Sequence, residues 1–273
     1  MMMKRWLSTA CSMISIHLVL LALIVAVSNT GASGAKIGKF ETIEVAYDAP
    51  DTSVELVGYL SIPPSDKIKS AKPPLVVLLH QANESAESWN IFRDELLATG
   101  NAVFAMDLRG YGLSTFDLKA NRLRPKNTFY VGESMNFPSD IAFLVGKAIE
   151  VHGSKFDTTR LAVIGASVGG NAGLIYAQNE PRVLYVALIS PGLEYAGLRI
   201  VPVLREYGDR PVFMAYADKD VYSRESISLV SDLVPRVLDI KEFDSMFHGN
   251  RLINSNIPLR VKLQEDLAKY FGK

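Results

Sequence analysis

The stretch Leu161-Ala-Val-Ile-Gly-Ala-Ser-Val-Gly-Gly-Asn171 runs four apolar residues into a glycine-rich corner with one serine at its centre. A short apolar run of this kind reads as a strand buried on both faces, and the glycines after it mark a sharp change of direction. Two readings of Ser167 follow. It is a nucleophile held out on a strand-to-helix turn, or a small polar residue filling a corner. The pattern G-x-S-x-G is short enough to arise by chance, so the flanking chain has to decide. It must supply a strand before, a helix after, and then an acid and a histidine at later strand ends.

Outward from this stretch, short apolar runs recur at residues 75–79 (LVVLL), 102–106, 184–189 and 212–216, as in the strands of a parallel sheet. Residues 40–47 and 54–62 alternate apolar and polar side chains, and Pro63-Pro64 stops the second run. Residues 237–243 are a less hydrophobic candidate for a last, edge strand. Helical periodicity fills the gaps. Residues 140–151 place Ile141, Leu144, Val145, Ala148 and Ile149 on one face, and Gly153 ends the run. Residues 88–99 stop at Gly100, and residues 259–271 align Leu259, Leu263, Leu267 and Tyr270. Eight strands alternating with helices predict an α/β fold: a doubly wound, mostly parallel sheet with helices on both faces. No repeat or linker divides residues 36–273, so one domain is expected there.

The first 35 residues read differently. Lys4 and Arg5 precede thirty uncharged residues, with an unbroken apolar run over 18–27 and a small-residue exit at 31–35. That order is the pattern of a secretory signal peptide. The alternative is an uncleaved membrane anchor, but Thr9, Ser12, Ser15 and His17 interrupt the longer span that an anchor needs. Export with cleavage near residues 31–35 is therefore the expectation, to the periplasm or the medium, with membrane association only if the segment stays. Losing Lys4 and Arg5 takes the 29 basic residues to 27 against 29 acidic, a net charge of −2. Such a balance gives no reason to expect nucleic acid. Cys11 is the only cysteine, so no internal disulfide forms, and the four histidines make no H-E-x-x-H or Cys/His cluster. Neither a metal nor a cofactor is expected.

In an open parallel sheet, ligands bind beyond the carboxyl ends of the strands. His80, Asp107, Ser167, Asp218, Asp220 and His248 all stand just past such ends. With Gly165-Ala-Ser-Val-Gly169, Leu78-Leu-His-Gln-Ala82, Asp107-Leu-Arg-Gly-Tyr-Gly-Leu-Ser114, Ala215-Tyr-Ala-Asp-Lys-Asp220 and His248-Gly249 in this order, the chain from about Val54 onward resembles the α/β-hydrolases. Within them it is most similar to the compact serine esterase and dienelactone-hydrolase-like branch. The resemblance implies an eight-stranded sheet without a large cap domain. It also implies a Ser167-Asp220-His248 triad, the chain order expected for this fold. The backbone N–H groups of Val168 and Ala82 would then form the oxyanion hole.

The chemistry accounts for these residue types. A serine hydroxyl needs a base to take its proton, and an acid holds that base in the useful tautomer. His248 is the only histidine after Ser167. Asp220 fits the family pattern better than Asp218, which is the reserve. Ala217 replaces a usual glycine there, and Gln81 stands where His-Gly is common. A phosphate-binding reading of residues 165–173 lacks both the second glycine of G-x-G-x-x-G and a P-loop lysine. His80 is expected to shape the oxyanion loop, and Asp107 and Arg109 to brace loops by hydrogen bonds. His152 is expected at a helix C-terminus as a cation opposing the dipole. Residues 115–137 are a surface loop or a small lid. Trp89, Phe137, Tyr195 and Phe247 line an acyl pocket or simply pack. The function expected is an exported serine hydrolase that cleaves carboxylic esters or thioesters of small molecules through an acyl-enzyme. The alternatives are an amide hydrolase or peptidase, and a non-catalytic binding protein on the same fold.

Overall fold

Leu75, Val77 and Leu79 enter one apolar core and Val76 and Leu78 the other, as the two-residue period of a strand requires. The strand is buried along its whole length, which explains why its sequence is a continuous apolar run. This computed structural model describes residues 34–35, 40–124, 131–234 and 238–272. Residues 1–33 of the expected leader and the middle of the 115–137 segment, residues 125–130, lie outside the described residues.

Eight strands make the body of the sheet: β1 (Glu41–Asp48), β2 (Glu55–Ile62), β3 (Pro74–Leu79), β4 (Ala102–Met106), β5 (Asp157–Ala166), β6 (Val183–Ile189), β7 (Val212–Ala217) and β8 (Asp239–Phe243). Their spatial order is β1-β2-β4-β3-β5-β6-β7-β8, and the pair Gly34–Ala35 adds a short outer edge to β1. β1 pairs antiparallel with β2, and β2 antiparallel with β4. All pairings from β4 through β8 are parallel. Strand β8 exposes most of its residues, which is why its sequence is the most polar of the set.

Among the described residues seven helices flank the sheet. α1 (Asn90–Ala98), α6 (Asn250–Ser255) and α7 (Ile257–Tyr270) pack Phe92, Leu96, Leu252, Ile253, Leu259 and Leu263 into the core of one face. α2 (Phe137–His152), α3 (Val168–Gln178), α4 (Ile200–Glu206) and α5 (Val221–Leu233) cover the other. α2 starts three residues before the expected boundary because Pro138 sits in its first turn, where a missing N–H is no loss. Between β6 and α4 lies only a small hairpin, Glu194–Tyr195 paired with Leu198–Arg199. No large cap interrupts the domain there.

Candidate active site

Because β3 to β8 run parallel, their carboxyl ends meet at one edge, and each expected residue follows one of them. The turn from β5 into α3 is held in an unusual conformation. Ser167 has φ 53 and ψ −124, a region that side chains other than glycine rarely occupy and that costs about 1–3 kcal/mol. Its N–H donates to the Ile189 carbonyl at 2.8 Å, and its own carbonyl accepts from Gly170 N–H at 2.9 Å. The neighbouring glycines make the turn possible. A Cβ on Gly165 would lie 2.4 Å from the Gly169 carbonyl oxygen, and one on Gly169 2.4 Å from that of His80. The start of α3 thus presses directly on the loop that carries Gln81 and Ala82.

Two backbone donors stay available beside that turn. Val168 N–H opens α3, where no carbonyl one turn back can accept it. Neither it nor Ala82 N–H donates to any described residue. Gln81 N–H is already committed, donating to Asn250 Oδ1 at 2.9 Å. His80 is fully buried, with Nδ1 donating to the Gln81 carbonyl at 2.7 Å and Nε2 accepting from Leu108 N–H at 2.9 Å. Both ring nitrogens are used, so His80 shapes the loop and cannot act as a base.

On the other side, His248 Nδ1 lies 2.6 Å from Asp220 Oδ2. Burial would raise the Asp220 carboxyl, but the hydrogen bond and charge of His248, with the N–H of Ser223, hold it below the ordinary carboxylate value. It therefore stays ionised and keeps the Nδ1–H tautomer of His248. Asp218 does something else: its Oδ1 accepts from Ser245 N–H at 2.9 Å and its Oδ2 pairs with Lys219. It braces the loop that leads to His248. Gly249 N–H in turn donates to the buried Ser190 Oγ at 3.0 Å.

Ser167 Oγ makes no hydrogen bond to His248 here; the Tyr195 hydroxyl, which lies near Ser167 and Ser223, donates to the Ser190 carbonyl at 3.5 Å. Burial pushes the Tyr195 phenol up to about 12, against the lowering effect of these two hydroxyl contacts, so it remains a donor at neutral pH. Of the four candidate lining residues, Trp89 and Phe137 are fully buried packing, whereas Phe247 is 41% exposed and Tyr195 half-buried. Asp107 and Arg109 are loop braces, as their positions suggested. Asp107 accepts from Ala86 and Leu113 N–H, and Arg109 forks onto Asp140 Oδ1 and Oδ2 at 2.6 and 2.8 Å. His152 does end α2, but burial and the Lys155 charge push its imidazole below the ordinary value. It is uncharged at neutral pH, which corrects the expectation of a cation opposing the helix dipole. Among the described residues no three His, Cys, Asp or Glu side chains gather to hold a metal. Ser190, Ser223, Gln81 and Asn250 were not foreseen in these roles. They are polar residues at strand or helix ends whose partners are remote in sequence.

Residues 71–210 match the family described as serine aminopeptidase, S33. The chain belongs to this family of α/β-hydrolases. The match spans the 80–82 loop and the Ser167 turn of the hydrolase and ends before Asp220 and His248. Solved structures agree on the fold. An esterase of Pyrococcus furiosus superposes with a TM-score of 0.65 at 18% identity, over 89% of this chain and 99% of that one. A 2,6-dihydroxy-pseudo-oxynicotine hydrolase gives 0.64 at 17%, over 83% and 67%. A peroxisomal α/β-hydrolase of Saccharomyces cerevisiae gives 0.63 at 12%, over 86% and 90%. No curated protein is significantly similar in sequence.

Proposed function

We propose that this hydrolase is an exported serine esterase working through an acyl-enzyme on Ser167. One observation carries the reading: Ser167 stands strained on the β5–α3 turn at the same sheet edge where Asp220 holds His248 Nδ1 at 2.6 Å. In the first step His248 Nε2 takes the Ser167 proton as Oγ attacks the substrate carbonyl carbon. The oxyanion accepts hydrogen bonds from Val168 and Ala82 N–H, donors that no other described residue occupies. Collapse breaks the ester bond, and the leaving alcohol takes the proton from His248. Water, deprotonated by the same imidazole, then attacks the acyl group and releases the acid and free Ser167. A small-molecule ester is the substrate this site suits. Export rests on the basic start, apolar run and small-residue exit of residues 1–35. Among the described residues no helix is long and apolar enough to cross a membrane.

A second reading, cleavage of amides, is favoured by the aminopeptidase description of the matching family. The test is one experiment with two substrates. A fluorophosphonate probe should label the folded protein at Ser167, and Ser167→Ala should abolish both labelling and hydrolysis of p-nitrophenyl esters. Faster turnover of an aminoacyl p-nitroanilide would select the amide reading, and labelling elsewhere or not at all would remove the serine mechanism. Sequencing the labelled sample from its N-terminus, after expression with the native leader, tests export.

A further inference from the structure

Two loops far apart in the chain are joined by a reciprocal pair of hydrogen bonds. Gln81 N–H donates to Asn250 Oδ1 at 2.9 Å, and Asn250 N–H donates to Gln81 Oε1 at 2.8 Å. Each residue gives its backbone N–H to the other's side chain. Gln81 immediately precedes Ala82, the loop donor of the oxyanion hole, and Asn250 stands two residues after His248.

The fit around this pair is close. Asn250 is 1% exposed, so water does not replace a bond that is lost there. A Cβ on Gly249 would fall 2.1 Å from Gln81 Oε1, and Gly249 has φ 54. A side chain at position 249 would have to push Gln81 Oε1 off Asn250 N–H and would be strained at that φ. The His248 turn is gripped at three points: Asp220 on the ring, Ser190 Oγ on Gly249 N–H, and Gln81 Oε1 on Asn250 N–H. Only the third reaches across to the oxyanion loop. A glycine at position 81 would offer Asn250 N–H no side-chain acceptor.

We propose that Gln81 and Asn250 are positioning residues whose reciprocal pairing sets the Ala82 N–H and the His248 ring at one fixed separation. The oxyanion donor and the general base then hold or shift as a unit. This rests on the serine-hydrolase reading of the site. Misplacement of catalytic groups by about 1 Å lowers rate by up to about a hundredfold, with little effect on ground-state binding.

The test compares Gln81→Met, which keeps length and removes the acceptor, with Gln81→Glu, which restores one. Rates on a single ester are expressed per fluorophosphonate-titrated site, so a loss of folded protein alone does not lower them. Gln81→Met should lower kcat about 10- to 100-fold with KM within about threefold, and Gln81→Glu should recover to within about fivefold of the parent. A methionine variant within about twofold of the parent overturns the proposal, as does a glutamate variant no faster than methionine. Should Gln81→Met fail to fold, hydrogen exchange on the unaltered protein decides. One opening event frees both amides, so Gln81 and Asn250 should show protection within about threefold of each other, and a difference above about tenfold refutes the pairing. Ser167→Ala separates the two levels of failure. If it retains full hydrolysis, the catalytic reading is wrong; if it is dead while Gln81→Met matches the parent, only the pairing is refuted.

Discussion

Asp218 and Asp220 stand two positions apart after β7, yet their surroundings assign them different work. Asp220 is 10% exposed at its side chain and bonded to His248, whereas Asp218 meets Lys219 and the Ser245 amide at the surface. Substituting asparagine changes charge and hydrogen-bond sense while nearly conserving volume, so the comparison reports chemistry more than packing. Asp220→Asn should lower kcat by about 10⁴, because an amide stabilises the wrong imidazole tautomer. Asp218→Asn should cost about tenfold or less, since it only loosens a loop. Paired kcat measurements on one ester, with circular dichroism to confirm folding, check this. A crippled Asp218→Asn beside a healthy Asp220→Asn would show that the acid is misassigned.

Among the elements, the hairpin after β6 carries Tyr195 beside the nucleophile's turn. Ala196 and Gly197 turn it, both at positive φ, and Tyr222 supports it by donating to the Glu194 carbonyl at 2.9 Å. The Tyr195 hydroxyl donates to the Ser190 carbonyl at 3.5 Å, the far limit of a hydrogen bond, while His248 Nε2 has no described partner. A bond that long contributes little, so Tyr195→Phe should react with a fluorophosphonate within about twofold of the parent in a stopped-assay measurement. A change above about tenfold would mean that the phenol takes part in the attack. The same scale shows what could be read in advance. Strands β3 to β7 were legible because burial on both faces leaves an unbroken apolar run, and the Ser, Asp, His order was legible because the fold delivers strand ends to one edge. Helices α5 and α6 were not marked out: α5 carries serines, Arg224, Glu225 and Asp232 around a thin apolar stripe, and α6 has six residues. The Gln81–Asn250 pair was invisible for another reason. Its members are 169 residues apart, and no local period links them.

Across the whole molecule, Arg109 joins parts that no single element spans. From the loop after β4 it forks onto Asp140 in α2 and reaches Asp51 and Ser53 in the β1–β2 turn. Its side chain is 3% exposed and that of Asp140 1%. Removing one member of such a pair leaves a charge buried without its counterpart, which typically costs about 3–5 kcal/mol. Arg109→Met should lose stability in that range by urea denaturation, while adding Asp140→Leu should restore most of it. Asp51, 43% exposed, has water to turn to and should contribute little to the loss. A single-variant loss below about 1 kcal/mol would mean that the pair is dispensable.

The backbone of Ser167 has a bearing on how the protein can be improved. At φ 53 the most comfortable residue is glycine, and Ser190, at the end of the adjacent strand, shares that φ. A library sorted for heat tolerance alone would thus be drawn toward glycine at both places. At one it would discard the hydroxyl proposed to carry the acyl group, and at the other the oxygen that anchors Gly249. Ruggedness and turnover make opposing demands on these two side chains, and selection for one without the other would yield sturdy, inert protein.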